Sequence, residues 1–475
     1  MKSRLLRLYH HLPGSARSAV ATCHGYYLRW WRYGPETEHL VTEALDREQW
    51  STQQWTRWQA ERLAQVLHHA ATRVPYYRDK WAARRRAGDR ASWEYLENWP
   101  ILEKEELRQN PAAFLADGCD PRHMYHLNTS GTTGKSLDLW WSRRTARAWY
   151  ALFEARVKRW NSVSAQDRWA ILGGQIVTPA DRNNPPFWVW NSALNQLYMS
   201  SYHLAPDLIP HYLDALRRYR VRYILGYTSS LYALAQEILW SGYPPLKLAV
   251  AITNAEPLLD HQREVIGEAF GCPVRQTYGI AEIAVAASEC SEGHLHLWPE
   301  AGLLEVLDSN RATENGAAGS LVCTGFLNLD MPLVRYRIGD RAATCDVNAQ
   351  CSCGRTLPML SAVEGRVDDV LYTIDGRRIG RLDPAFKRHL PIREAQIIQD
   401  SLNRIRVRYV PAQGFTPDAG RSIIEEMQSR MGAIEVTLEQ VSELPRGPNG
   451  KLRAVICNLP LEERRALERA RMRHT

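Results

Sequence analysis

Phenylalanine is scarce in this chain: 7 Phe stand against 17 Trp and 21 Tyr. The aromatic surface is therefore carried by rings with a polar edge, which suits the cleft walls of a globular enzyme or a large binding protein. Runs of 18 apolar residues are absent as well, so no segment has the length and hydropathy of a membrane-spanning helix. The charged start MKSRLLRLYHHLPG lacks the apolar centre and cleavage signal of a secretory leader, and the expected location is the cytoplasm. Internal repeats and low-complexity stretches are missing, and with 45% hydrophobic residues disorder is not indicated. Cysteine is present but unframed: nine residues, an odd number, scattered along the chain. That pattern argues against a disulfide scaffold and for thiols or metal ligands.

Positive charge is in excess. The formal net charge is +8, with Lys2, Arg4, Arg7, Arg17, Arg29 and Arg32 at one end and Arg464, Arg465, Arg469, Arg471 and Arg473 at the other. Such ends ordinarily solvate a helix; the sharper reading is weak peripheral attraction to an anionic membrane or polymer. No nucleic-acid partner is expected.

At 475 residues the chain exceeds one average domain. The first 110 residues are expected to be largely helical: Trp55, Trp58, Leu63, Val66, Leu67 and Ala70 recur at helical spacing until Val74-Pro75 stops the pattern. From about residue 120 to 365, apolar runs such as RYILG and KLAVAI each lead into a helical stretch. This is the order of an α/β domain, in which ligand loops lie at strand ends. Beyond EGRVDD, Val407 and Tyr409 alternate with arginines, Ile423, Ile424, Met427 and Met431 fit a helix, and Ile434, Val436 and Leu438 alternate again. The expected fold class is α/β: a large domain over residues 1–365 with a helical N-terminal extension, and a small α+β domain over 366–475.

The stretch NTSGTTGKS looks at first like a P-loop. That motif needs a glycine separated by four residues from its Gly-Lys-Ser, and the position holds Thr129, with the glycine at Gly131. What remains is a turn whose backbone N–H groups and hydroxyls (Thr129, Ser130, Thr132, Thr133), with Gly134 and the charge of Lys135, suit polyphosphate oxygens. Further on come TYGIAEIA, VRYRIGD, EGRVDD and LPRGPNGKLR, in that order.

This ordered set resembles the adenylate-forming ligases, the superfamily of acyl-CoA synthetases and peptide-synthetase adenylation domains. RVPYYR near the start and CSCGRTLP point to the branch of phenylacetate-CoA ligase, coenzyme F390 synthetase and CapK-type proteins. The resemblance spans nearly the whole chain. It implies that the loop from Thr129 to Lys135 holds the β- and γ-phosphates of ATP, that Glu282 holds Mg²⁺, and that Tyr278 and Gly279 lie beside the adenine and α-phosphate. Asp340 would accept the ribose hydroxyls, Ala255, Glu256 and Pro257 would form the adenine loop, and Arg366 would reach the ribose or phosphate. Lys451 would be the catalytic lysine, stabilising charge as a carboxylate meets the α-phosphorus. Asp368 matches the hinge about which the small domain turns between half-reactions.

Cys290 with His294 or His296, and Cys351 with Cys353, offer three thiolates and an imidazole to a structural zinc, with Cys345 nearby. The resemblance favours Cys290, His296, Cys351 and Cys353. Separate free thiols are the alternative.

Where the family's hinge is followed by an Arg-Gly segment toward the pantetheine path, LYTIDGRRIGRLDPAF departs from it. The acceptor is thus left open between CoA, an amine and a hydroxyl. The leading expectation is an ATP-dependent ligase that activates a small carboxylic acid, in surface-polysaccharide modification. The alternatives are transfer of AMP to a hydroxyl and a catalytically inactive ATP-binding scaffold. Trp169, the segment GGQ, PPFWVWN and Tyr227 are candidates for the acyl pocket, though such aromatics are as often core.

Overall fold

Four helices fill residues 14–86: α1 (Gly14–Arg32), α2 (Thr37–Asp46), α3 (Thr52–Arg73) and α4 (Pro75–Arg86). Helix α3 begins at a capping box, Ser51 Oγ accepting from the Gln54 amide and Gln54 Oε1 from the Ser51 amide at 2.8 Å. Pro75 then ends α3 and supplies the first residue of α4, where its missing N–H costs no hydrogen bond. Trp55, Val66, Leu67 and Ala70 are buried as their spacing predicts, with Trp58 and Leu63 partly so. The computed structural model describes residues 8–128, 137–175, 177–178, 184–201, 203–204, 206–308, 310–313, 317–345, 349–366, 371–374, 378–379, 391–432, 434–446, 452–460, 462–464 and 466–467.

The RVPYYR segment is a clamp. Tyr77 Oη donates to the Pro332 carbonyl at 3.2 Å and accepts from the Val334 amide at 3.0 Å, while the Tyr76 ring stacks on Phe114 at 4.0 Å. After α5 (Lys104–Gln109), β1 (Tyr125–Asn128) and β2 (Asp138–Trp141) form an antiparallel pair closed by Asn128 opposite Asp138, and α6 (Arg143–Phe153) follows. The chain after the Gly-Lys-Ser therefore enters a strand, whereas a P-loop opens a helix.

The expected alternation of strand and helix comes next: β3 (Trp169–Gly173), β4 (Trp188–Asn191), β5 (Gln196–Ser200), α7 (Ile209–Arg218), β6 (Tyr223–Tyr227), α8 (Thr228–Trp240), β7 (Val250–Asn254), α9 (Asp260–Phe270) and β8 (Val274–Gly279). Strands β5, β3, β6, β7 and β8 are mutually parallel. The first four residues of β6 and of β7 are buried, the continuous apolar run of a sheet covered on both faces. Alternation stops at β8. Strands β9 (Ala286–Glu289), β10 (Leu295–Leu297), β11 (Gly302–Asp308), β12 (Arg311–Ala312), β13 (Gly319–Gly325), β14 (Tyr336–Thr344) and β15 (Met359–Arg366) join antiparallel, with no helix between them among the described residues. The combined sheet runs β12-β11-β13-β14-β15-β10-β9-β8-β7-β6-β3-β5-β4. The sequence reading extended the strand–helix pattern to 365; short connections after β8 leave room only for antiparallel neighbours.

A short pair, β16 (Leu371–Tyr372) and β17 (Arg378–Ile379), precedes a second sheet of β18 (Ile392–Ser401), β19 (Arg404–Pro411), β20 (Glu435–Gln440) and β21 (Val455–Cys457), ordered β20-β19-β18-β21. Helix α10 (Pro417–Met431) packs on it through Ile423, Met427 and Met431, against Ile405, Val407 and Ile434. Among the described residues, contacts that tie this unit to α8 include Gln236 Nε2 donating to the Ile392 carbonyl at 3.1 Å, Arg393 pairing with Glu237 at 2.9 Å and lying 5.7 Å over the Trp240 ring, and Arg446 Nη1 3.4 Å from Ser229 Oγ.

Burial pushes the phenols of Tyr77, Tyr212, Tyr223 and Tyr336 well above their ordinary value, and that of Tyr232 up to about 12. A phenol whose folded pKa is raised keeps its proton where the unfolded chain loses it, so its stabilisation is complete below the unfolded pKa and fades above it. The denaturant midpoint is expected to fall as pH rises past about 10, and a pH series of unfolding curves checks it.

Candidate functional site

The parallel strands β3, β6, β7 and β8 end at Gly173, Tyr227, Asn254 and Gly279, the carboxyl edge at which α/β sheets bind ligands. Ala255, Glu256 and Pro257 follow β7 at this edge, and Tyr278 and Gly279 finish β8. Ala255 has a left-handed backbone, φ +62°, and so does Ile283, φ +51°, just after Glu282. A β-branched residue there is strained by about 1–3 kcal/mol, and surrounding packing must impose it. Ile283 is buried.

Glu282 is the most constrained carboxylate of the site. It is 9% exposed, Oε1 accepts from Tyr336 Oη at 2.8 Å, and the Lys104 ammonium stands 3.6 Å from the same oxygen. The cause is a tertiary bridge. Leu102 N donates to the Arg335 carbonyl at 2.9 Å and Arg337 N to the Leu102 carbonyl at 3.0 Å, so the chain leading into α5 lies along β14 beside Tyr336. No hydrogen bond to Glu282 Oε2 is made among the described residues, which suits it to a hard divalent cation.

Asp340 lies on the same strand, two alternations beyond Tyr336, and its Oδ2 accepts from Tyr278 Oη at 2.8 Å. Burial, then the Asp340 carboxylate, raises the Tyr278 phenol well above its usual value. Burial and Glu282 do the same to Tyr336. Two carboxylates, each held by a neutral phenol, thus stand at this edge, donors of the kind that suit a cation and sugar hydroxyls. Arg366 lies opposite Asp340 in the pairing of β14 with β15, which brings the sequence-predicted ribose contacts onto adjacent strands.

Glu256 has a structural partner at this edge. Its carboxylate accepts from the Ser229 amide at 2.7 Å and from Ser229 Oγ at 3.1 Å, capping the start of α8 and anchoring the 255–257 loop. Of the acyl-pocket candidates, Trp169 stacks on Tyr223 and donates to the Leu194 carbonyl, and Phe187 is fully buried. Both pack as core. Thr129, Ser130, Gly131, Thr132, Thr133, Gly134 and Lys135 lie outside the described residues, as do Asp368 and Lys451. Arg446 and Leu452 form an isolated antiparallel bridge, and Arg446 also pairs with Glu394.

The cysteine–histidine set converges. Ligand atoms of Cys290, His296, Cys351 and Cys353 lie within 4.8 Å of one another, with Cys290 Sγ 3.7 Å from Cys351 Sγ and Cys353 Sγ 3.5 Å from His296 Nε2. A tetrahedron with metal–sulfur bonds of about 2.3 Å has edges of about 3.8 Å, so the spacing fits zinc. His296 is buried and its Nδ1 lies 3.1 Å from the Leu357 carbonyl; donation there leaves Nε2 as the ligand atom. Burial lowers its pKa, which keeps the ring neutral. His294 is exposed, 3.4 Å from Cys351 Sγ. Burial pushes the Cys351 thiol up to about 12, whereas the Arg355 amide and the Cys351 thiol outweigh burial and lower that of Cys353. Cys345 packs beside the set without joining it.

Sequence reasoning missed Lys104 and Tyr336. Tyr336 stands inside VRYRIGD at an even spacing from Asp340, a signal that both share one face of a strand. Lys104 carries no local signal; only the Leu102 bridge reveals it.

Residues 371–458 match the family described as the CapK C-terminal domain. Protein CapK of Staphylococcus aureus is 24% identical over 416 residues, covering 84% of this chain and 89% of the relative. Phenylacetate-coenzyme A ligase of Thermus thermophilus is 25% identical over 473 residues, covering 89% and 99%. Among solved structures, 2-hydroxyisobutyryl-CoA ligase in its postadenylation state with R3-HIB-AMP superposes with a TM-score of 0.67 at 19% identity, over 90% of this chain and 94% of that one. The same ligase with 2-HIB-AMP and CoA in the thioesterification state gives 0.53 at 20% identity, with the same coverage. The chain is a homologue of CapK and of the phenylacetate-coenzyme A ligases, and it has the fold of the adenylate-forming acyl-CoA ligases.

Proposed function

We propose that the protein activates a small carboxylic acid with ATP and passes the acyl group to a nucleophile, CoA first among the candidates. In the first half-reaction a carboxylate oxygen attacks the α-phosphorus, the bond to the β-phosphate oxygen breaks, and pyrophosphate leaves. In the second, the acceptor thiol attacks the acyl carbon, loses its proton, and AMP departs. The observation that carries this reading is the pair of anchored carboxylates, Glu282 on Tyr336 and Asp340 on Tyr278, at the carboxyl edge of the sheet.

Within the reading each residue has a part. Asp340, oriented by Tyr278, accepts the ribose hydroxyls, and Arg366 lies across the strand from it. Bound Mg²⁺ would neutralise phosphate charge, with Glu282 Oε2 as its protein ligand. The loop from Thr129 to Lys135 would hold the distal phosphates, and Lys451 would supply the compact cation for the transition state, carried by a mobile domain over 366–475. Support for an approach from the small unit comes from Arg446, five residues before Lys451, which touches Ser229 beside the Glu256 anchor. We place the reaction in the cytoplasm and, by the likeness to CapK, in surface-polysaccharide modification, where an amine or hydroxyl is the alternative acceptor. We also propose a structural zinc on Cys290, His296, Cys351 and Cys353.

ATP–pyrophosphate exchange across aryl, fatty, hydroxy and amino acids is expected to find a substrate. Lys451→Ala should lower exchange about 100- to 1,000-fold, on the scale of losing one oriented transition-state charge, while turnover of a preformed acyl-adenylate is largely kept. Equal loss in both steps would count against the two-step reading. Hydroxylamine trapping should yield a hydroxamate; a nucleotidylated acceptor with no hydroxamate would favour AMP transfer instead.

Elemental analysis of protein purified without chelator is expected to find close to one equivalent of zinc, and Cys351→Ser to lose the metal and lower the Tm. Less than about a tenth of an equivalent in the unsubstituted protein would exclude the zinc assignment.

A further inference from the structure

Helix α1 meets the fold mainly through polar and small residues and leaves its aromatic side uncovered. On the inner face, Arg17 Nη1 donates to the Val177 carbonyl at 2.8 Å, the Trp190 amide donates to Ser18 Oγ at 3.1 Å, and Trp31 is buried against Tyr125 with ring centroids 5.5 Å apart. Gly25 lies so close to Asn191 that an added Cβ would meet its side-chain oxygen at 2.0 Å. This contact fixes which side of the helix faces the protein. The outer side then presents Val20, Cys23, Tyr26, Tyr27 and Trp30, all exposed, at i, i+3, i+6, i+7 and i+10. Tyr26 is 60% exposed. A contiguous exposed patch of this kind marks an interaction site.

Charge identifies what it meets. No acidic residue occurs before Glu36; of the arginines in α1, Arg17 is buried and Arg32 lies over the Tyr150 ring, and Arg29 is exposed. Glu36 is itself paired with Arg147 at 2.6 Å. Helix α6 packs beside α1 and adds exposed Arg143 and Arg144, Arg143 lying 3.5 Å over the Trp30 ring. Tyrosine and tryptophan on a helix flanked by arginines have the chemistry of the membrane–water interface, where the rings sit among headgroups and the guanidinium groups meet lipid phosphates. No helix among the described residues is long and apolar enough to cross a membrane. We propose that the outer face of α1, with Arg143 over its Trp30 ring and Arg144 beside it in sequence, docks the protein on an anionic lipid bilayer, lying in the interface; Arg29, whose Nη1 lies 3.4 Å from the Ala193 carbonyl, stands at the margin of that face.

The test is co-sedimentation of the full-length protein with vesicles of phosphatidylcholine alone or with about 30% phosphatidylglycerol. Binding is expected to the anionic vesicles, to weaken with salt, and to be slight on the neutral ones. Arg143→Gln/Arg144→Gln should bind about tenfold more weakly, and Tyr26→Ser/Trp30→Ser should also lose binding, with unchanged circular dichroism and unchanged ATP turnover in solution. Should the aromatic variant fail to fold, the arginine variant decides. Equal retention on neutral vesicles, no binding to either, or anionic binding unaffected by the arginine substitutions would overturn the proposal. So would a concentration-dependent dimer in vesicle-free solution that Tyr26→Ser/Trp30→Ser disrupts, since the occupant would then be a second copy.

Discussion

A carboxylate withdrawn from water costs several kcal/mol unless a partner compensates it, and Glu282 is withdrawn almost completely. Much of the surrounding architecture can be traced to supplying that compensation. Tyr336 must lie in register to donate, so β14 must start at the right place, and Tyr77 holds the preceding turn by bonding on both sides of it. Lys104 must reach the same oxygen, and the Leu102 bridge to β14 brings it there. Ile283 takes a left-handed backbone as the chain turns from Glu282 into buried packing. The N-terminal helices are therefore part of the site's support, although none of their residues belongs to a nucleotide motif.

Legibility in the sequence followed the range of each interaction. Local patterns served well: the capped helix before Val74-Pro75, the strands and helices from RYILG through EAFG, and the strand–helix–strand of the C-terminal unit all stand where their periodicities put them. Alternation of strand and helix misled only after β8, where hairpin-like pairing takes over and periodicity alone does not specify partners. Motif residues fixed by ordered resemblance, Tyr278, Glu282 and Asp340, share one edge of the sheet. Lys104 was invisible because its role depends on a contact with residues more than 170 positions away. The partner of Glu256, the start of a helix at Ser229, was likewise not legible, because backbone geometry brings it there.

The cysteine and histidine cluster shows the same division. Sequence could nominate its members, because two short segments carry suitable donors, but it could not choose between His294 and His296 from spacing. Burial and a carbonyl partner make the choice: one imidazole is enclosed and oriented, the other faces solvent. Nearby, Glu48 accepts from Trp160 Nε1 at 2.7 Å and from Arg355 Nε at 2.9 Å. The Cys-x-Cys turn is thereby fastened to the segment joining α2 and α3, so the cluster staples the antiparallel half of the sheet to the helical extension.

Helix α8 meets the C-terminal unit through Ser229, Gln236 and Glu237, which fall along one side of it at i, i+7 and i+8. The Gln236 bond is buried and the other two are partly exposed, each on the scale of about 1 kcal/mol. A rotation of the smaller body away from the larger one, as proposed above, would have to break these contacts together. The same helix is fastened at its start by Glu256 on the loop after β7, so one element joins the smaller body to the carboxyl edge of the parallel strands.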